Sequence, residues 1–326
     1  MRLVLLWLGT WKNGVSTYAP LWVKTDTERF PRVKDARGRS LDAVSPVSIA
    51  ARDADAKAFG AVMQHIRQID KDQHTVLMVQ VENEVGLLGP SRDHSAQAEQ
   101  AWKRTLPAGL VDYLNGQART LLPELAKLLG TTPVPKSKTW LEVFGTTSEA
   151  DEIFMAWQYA QFVKYVVAAG KREYPIPMYV NAWLVQSPDQ QPGLYPSGGP
   201  VPGVMDVWRA GAGNIDLFAP DIYLPNFNEV CESYTRSQNP LFIPEAVNES
   251  ISGAQVFYAI GRFHAIGYSP FAIEDLNAGA PLQKSYAVLA QLSPLILAHS
   301  GMGEMVGICS RKIPTMLSCS ISTPSM

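Results

Sequence analysis

The sequence predicts an α/β protein in which parallel strands alternate with helices, and three features support this prediction. Short apolar runs recur along the chain, separated by segments with helical periodicity. The runs are apolar at nearly every position, which is typical of parallel strands covered on both faces. Polar or acidic side chains follow each run, and functional groups at several strand ends are typical of a (β/α) barrel.

The composition is that of a folded enzyme or a ligand-binding domain. The 326 residues are 46% hydrophobic and 18% charged, with a formal net charge of −2. This balance excludes disorder and gives no basic surplus for nucleic acid. No apolar run approaches the roughly 18 residues of a membrane helix. We therefore expect neither a nucleic-acid nor a membrane partner. The 3 cysteines exclude a disulfide framework, and the 5 histidines show no metal-ligand spacing.

Six apolar runs predict six strands, at residues 3–11, 75–81, 178–184, 215–223, 241–246 and 269–274. The first run follows Met1 and Arg2 as the apolar part of a signal peptide would. No small-residue cleavage site follows it, so we interpret it as a buried strand.

Helical spacing of apolar residues fills the gaps between the strands. It predicts helices around residues 59–69, 111–125 and 283–299, with Gly130 ending the second. Ser148 with Asp151 predicts the start of a further helix. The Pro- and Gly-rich residues 187–213 predict a long loop at the rim of the strand ends. Neither a G-x-G-x-x-G motif nor a phosphate loop follows a strand, which disfavours a nucleotide-binding sheet.

Two predicted strands end in glutamates. The string QVENEVG spans residues 80–86 and ends the second strand, and LFIPEA spans residues 241–246 and forms the fifth. A carboxylate is costly to bury unless it is paired or hydrogen-bonded. Taken alone, either Glu84 or Glu245 is explained as a solvated residue at the end of a strand. Together they predict paired acid/base chemistry on a glycosidic bond.

The string QVENEVG resembles the motif Q-V/I-E-N-E-Y/F-G of the glycoside hydrolase family 35 β-galactosidases. LVLLWLGTWKNG, near the N-terminus, resembles the third-strand segment of the bacterial branch of that family. The resemblance runs from about residue 2 to residue 308. It implies a retaining exo-β-galactosidase on a (β/α)8 TIM-barrel, with Glu84 as acid/base, Glu245 as nucleophile and Asn83 on the sugar 2-hydroxyl. Val85 stands where the family usually has an aromatic residue.

Mapped onto that family, the six strands correspond to strands three to eight. The resemblance therefore implies an incomplete barrel over residues 1–308, without strands one and two. Residues 309–326 lack periodicity, and we expect an unstructured or non-native tail there. Open barrel edges predict self-association. Relatives are often exported, but the chain shows no signal peptide.

Other polar and aromatic residues at or after strand ends are candidates for substrate binding. Aromatic rings stack on pyranose rings, although core packing explains them equally well. Tyr223 could instead donate a hydrogen bond to the nucleophile, and a solvated loop is the alternative for the polar residues. The resemblance implies a β-galactoside or oligosaccharide substrate and no metal or organic cofactor. The candidates are Trp11, Lys12, Asn13, Asn181, Trp183, Trp208, Tyr223 and Glu274.

Strand alternation makes one further prediction. It sends Asn83 and Glu84 to opposite faces of a regular strand, so both reach one site only if the backbone is irregular at residues 83–86. Two other functions stay open: another glycosidase with the same fold, such as an endo-β-glucanase, and a carbohydrate-binding fragment without turnover.

Overall fold

The structure is a computed structural model that describes residues 2–118, 120–130, 133–313 and 316–322. Contacts divide the chain into two compact units, Met1–Asp216 and Leu217–Met326. The predicted domain of residues 1–308 therefore covers the whole first unit and residues 217–308 of the second. Its end at residue 308 stays a prediction.

The first unit contains five strands and eight helices among its described residues. The strands are β1 (Leu3–Lys12), β2 (Arg32–Lys34), β3 (Ser40–Val44), β4 (Val76–Asn83) and β5 (Met178–Trp183). The helices are α1 (Leu21–Thr25), α2 (Ile49–Asp70), α3 (Ala96–Trp102), α4 (Ala108–Gly116), α5 (Pro123–Leu129), α6 (Trp140–Phe144), α7 (Ser148–Glu173) and α8 (Met205–Gly211).

Parallel pairing joins β1 to β4 and β4 to β5, whereas β2 and β3 form an antiparallel pair. The two long helices α2 and α7 pack against each other. The two helices cross closely at Gly170, where a Cβ atom would lie only 2.3 Å from the ring of Phe59. Most of the 26 residues of α7 are buried, although Lys164 and Tyr165 are exposed.

The second unit repeats the alternation of strand and helix. Its elements are β6 (Leu217–Ile222), α9 (Phe227–Thr235), β7 (Phe242–Ala246), α10 (Ser252–Phe263), β8 (Gly267–Pro270), α11 (Pro281–His299), β9 (Val306–Ile313) and β10 (Met316–Ser322). The strands β6, β7 and β8 are parallel. The strands β9 and β10 pair antiparallel, so the expected lack of structure is wrong for residues 309–313 and 316–322. The rest of the predicted tail lies outside the described residues.

The predicted fold class is confirmed: six parallel strands, three in each unit, alternate with helices as in an incomplete (β/α) barrel. Three local predictions are wrong. The predicted helix 111–125 is two helices, because Pro123 cannot continue a helix and instead starts α5. Thr147, not Ser148, caps α7, since its side chain accepts from the amide of Ala150. The segment 187–213 ends in a 3₁₀ turn and α8 rather than being loop throughout.

Candidate active site

The end of β4 has an irregular backbone. Glu82 and Glu84 have φ values of 63° and 46°, in the left-handed region, and Gly86 has a φ of 141°. The pairing of β1 with β4 also shifts register between Trp7 and Lys12. The irregularity predicted for residues 83–86 is confirmed, and it begins one residue earlier, at Glu82.

Asn13, just after β1, contacts both residues that a regular strand would separate. Its side-chain amide donates to Oε2 of Glu84, and its Oδ1 accepts from Nδ2 of Asn83 at 3.3 Å. The backbone amide of Asn13 also donates to the Asn83 carbonyl, at 3.1 Å. The irregular backbone thus brings Asn83 and Glu84 to the same neighbour.

Three amide side chains fix the orientation of Asn83. Its Oδ1 accepts from Nε2 of Gln80 at 2.9 Å and from Nδ2 of Asn181 at 3.3 Å. Asn181 lies on β5, is 1% exposed, and its Oδ1 accepts from the backbone amide of Glu84 at 2.9 Å. Asn181 therefore supports the polar residues at the end of β4 from the neighbouring strand.

A second carboxyl group lies beneath this cluster. Glu82 is fully buried and accepts from the backbone amides of Thr10, at 3.0 Å, and Trp11, at 2.7 Å. Burial raises the pKa of Glu82 well above its ordinary value, and the nearby carboxyl of Asp55 raises it further. Asp55 comes from α2, and no signal in the sequence linked it to the strand ends.

In the second unit, Glu245 lies near the end of β7, half-buried, and pairs in register with Asp221 of β6. The hydroxyl of Tyr223 donates to Oε2 of Glu245 at 2.8 Å. This contact is the one that we predicted between Tyr223 and the expected nucleophile. Asp221 is buried beside it, at 3% exposure.

The other sequence candidates lie in different surroundings. Trp11 is fully buried against Tyr159 and Phe162 and donates to the Val44 carbonyl, so the structure places it in the core and not at a sugar-binding surface. Trp208 is likewise buried, with its indole bonded to the Gly198 carbonyl.

Three candidates lie at accessible positions. The ammonium of half-buried Lys12 is 5.3 Å from the centre of the Tyr18 ring, and Trp183 is half-buried at the end of β5. Glu274 is exposed in a 3₁₀ turn, Ile273–Asp275. It does not end a strand as predicted, because β8 stops at Pro270.

Within the described ranges, the His, Cys, Asp and Glu side chains form no group able to hold a metal ion. Over the same ranges, no helix combines the length and the apolar character that crossing a membrane requires.

No protein-family profile matches the sequence, and no curated protein matches it either. Solved structures do match. The catalytic domain of β-amylase from Paenibacillus polymyxa matches at a TM-score of 0.54 and 12% identity, over 89% of this chain and 82% of that one.

Two β-galactosidases also match. One, from Bacillus circulans sp. alkalophilus, gives a TM-score of 0.54 at 15% identity over 87% of this chain. The other, a GH42 enzyme from G. stearothermophilus, gives 0.55 at 14% identity over 92% of this chain. The chain spans just under half of their lengths, 46% and 47%. At these identities the likeness is one of fold: the chain has the α/β fold of the TIM-barrel glycoside hydrolases.

Proposed function

We propose that this chain carries the catalytic glutamates of a retaining exo-β-galactosidase of glycoside hydrolase family 35. The observation that carries the proposal is the placement of Glu84 and Glu245. Glu84 directly follows β4 and Glu245 is the penultimate residue of β7, two parallel strands of a glycosidase-type fold. Each accepts a hydrogen bond from a neutral side chain, Asn13 for Glu84 and Tyr223 for Glu245.

In the first step, Glu245 attacks the anomeric carbon while Glu84 protonates the departing glycosidic oxygen. A bond forms between the glutamate oxygen and the sugar, and the bond to the aglycone breaks. In the second step, Glu84 takes a proton from water, which displaces Glu245 and releases the sugar. The hydroxyl of Tyr223 orients Glu245 for attack through its hydrogen bond to Oε2.

Asn83 is suited to hold the sugar 2-hydroxyl. Its Oδ1 already accepts from Gln80 and Asn181, so its amide nitrogen is the end of the side chain that faces Asn13. That nitrogen can donate to a hydroxyl, and bonds to the 2-hydroxyl strengthen in the transition state. Lys12, Asn13, Asn181, Trp183, Tyr223 and Glu274 complete the proposed substrate-binding set, with Asn181 acting through Asn83.

The test is hydrolysis of a chromogenic β-galactoside by the chain of residues 1–326. Glu84→Gln and Glu245→Gln are each expected to lower kcat by about 10²-fold or more, whereas Glu229→Gln, at an exposed position on α9, leaves it unchanged. A 2-fluorogalactoside that traps the glycosyl-enzyme should add its sugar mass to the peptide containing Glu245.

Three results would overturn the proposal. Galactose binding without product favours a carbohydrate-binding chain without turnover. Hydrolysis that survives both substitutions places the chemistry on other residues, and cleavage of internal glucan bonds in place of galactosides assigns an endo-β-glucanase.

A further inference from the structure

Two buried carboxyl groups adjoin each other below the end of β4. Glu82 is fully buried and Asp55 is 7% exposed. Asp55 accepts from the Trp7 indole at 2.7 Å and from the Thr10 hydroxyl at 2.6 Å. Among the described residues, the groups that contact this pair are backbone amides, a hydroxyl and an indole rather than cations.

Two carboxylates cannot both ionise at short range in a buried site that lacks a cation, so such pairs hold one proton between them. Both carboxyl groups bind Thr10: Glu82 accepts from its backbone amide at 3.0 Å, and Asp55 accepts from its hydroxyl at 2.6 Å, so the two groups lie close together. The ionisable group that acts on Glu82 from α2 is Asp55. From β1, the backbone amides of Thr10 and Trp11 donate to Glu82, whereas the Thr10 hydroxyl and the Trp7 indole donate to Asp55.

The side chain of Glu82 replaces part of the pairing between β1 and β4. The register runs from the pair Trp7–Val81 to the pair Lys12–Asn83, so residues 8–11 of β1 lie opposite residue 82 alone. In that interval the Glu82 carboxyl accepts from amides that a regular strand would pair with backbone carbonyls. The bulge that turns Glu84 towards Asn13 therefore depends on this side chain.

We propose that Glu82 is a positioning residue for Glu84, and that the proton it shares with Asp55 fixes the end of β4 on β1. This inference rests on the proposed role of Glu84 as the acid/base. No covalent step is involved, since the pair acts only through hydrogen bonds.

The shared proton makes stability depend on pH in a definite direction. The folded protein keeps a proton on Glu82 at pH values where the unfolded chain has lost it, so stability falls as pH rises above the ordinary glutamate value of about 4.3. Glutamine at this position donates to Asp55 without titrating. We expect Tm of the wild type to fall between pH 5 and 8 by about 3 °C more than Tm of Glu82→Gln.

Hydrogen exchange of the backbone amides at residues 83–85 tests the positioning. Glu82→Ala should accelerate it at least about tenfold, and Glu82→Gln, which keeps the shape and the acceptor oxygen, should restore it. Where the chain hydrolyses galactosides, Glu82→Ala should lower kcat more than it raises KM. Glu152→Gln is the matched control: it removes another buried glutamate, bonded to Tyr195, and should leave exchange at residues 83–85 unchanged.

Parallel pH profiles of Tm for the wild type and Glu82→Gln would refute the shared proton. Unchanged exchange at residues 83–85 in Glu82→Ala, or an equal change in the Glu152→Gln control, would refute the positioning role. Neither measurement needs turnover. A chain that passes both and hydrolyses no galactoside therefore overturns the proposed function alone.

Discussion

Replacing Asn181 by alanine tests how far the site depends on support from the neighbouring strand. The substitution removes the acceptor for the Glu84 backbone amide, at 2.9 Å, and a donor to Asn83, at 3.3 Å. Asn181 is 1% and Glu84 is 7% exposed, so water does not readily take over these bonds.

The magnitude follows from these contacts. The lost hydrogen bonds cost about 1 kcal/mol, and a buried amide left without an acceptor costs about 1–3 kcal/mol more. Asn83 keeps its bond from Gln80. We therefore expect Asn181→Ala to lower the free energy of unfolding by about 2–4 kcal/mol, and to lower kcat by about 10- to 100-fold because Glu84 is displaced.

The assay is urea unfolding followed by tryptophan fluorescence, together with kcat on a chromogenic galactoside. Asn115→Ala is the control, because Asn115 also donates to and accepts from the backbone, at 3.0 and 2.7 Å on Val134. Asn115 is half-buried, so we expect a loss of about 1 kcal/mol and no change in kcat. If Asn181→Ala lost no more stability than Asn115→Ala, or if both variants lost kcat equally, Asn181 would not support Glu84 in this way.

Three further substitutions act in the first unit. Gly86→Ala should lower Tm by several degrees, because a Cβ there would lie 2.5 Å from Pro196 at a φ of 141°, and a wild-type Tm would contradict this clash. Burial raises the pKa of Glu152 to about 7. Wild-type stability should therefore fall by about 3 kcal/mol between pH 4 and 8 relative to Glu152→Gln, and parallel pH profiles would argue against the shift. The backbone amide of Val76 lowers the pKa of Asp70. The ionised Asp70 carboxylate therefore stabilises the folded protein above about pH 4, and this stabilisation is lost at lower pH. The Tm difference between the wild type and Asp70→Asn should vanish as pH falls from 5 towards 2, and a constant difference would rule this out.

The fold is predictable from the sequence where a pattern of residues has one structural meaning. Continuous apolar runs located the parallel strands because few other elements bury both faces over so few residues. Strand alternation sends the adjacent residues Asn83 and Glu84 to opposite faces. Both reach one site only if the backbone is irregular there, and this requirement predicts the position of the bulge. Both inferences needed only local sequence.

Long-range partners could not be predicted in the same way. Asp55 stands among alternating Ala, Asp and Lys residues on α2, which resembles a solvated helix face, yet it bonds Trp7 and Thr10 some 45 residues away along the chain. Trp11 lies in β1, within the interval where the pairing with β4 shifts register, and its side chain is buried in the core. The prediction that Glu274 ends a strand is wrong because the apolar run continues beyond Pro270, where β8 ends.

The burial of most of α7 has a consequence for how the chain is made. Synthesis proceeds from the N-terminus, so α2 has left the ribosome before α7 emerges, and the close contact at Gly170 and Phe59 can form at once. A circular permutation that placed α7 ahead of α2 would release this helix of 26 residues without the cover of its buried apolar side chains. Such a rearranged chain should need chaperones or aggregate during expression, although its folded contacts would be the same.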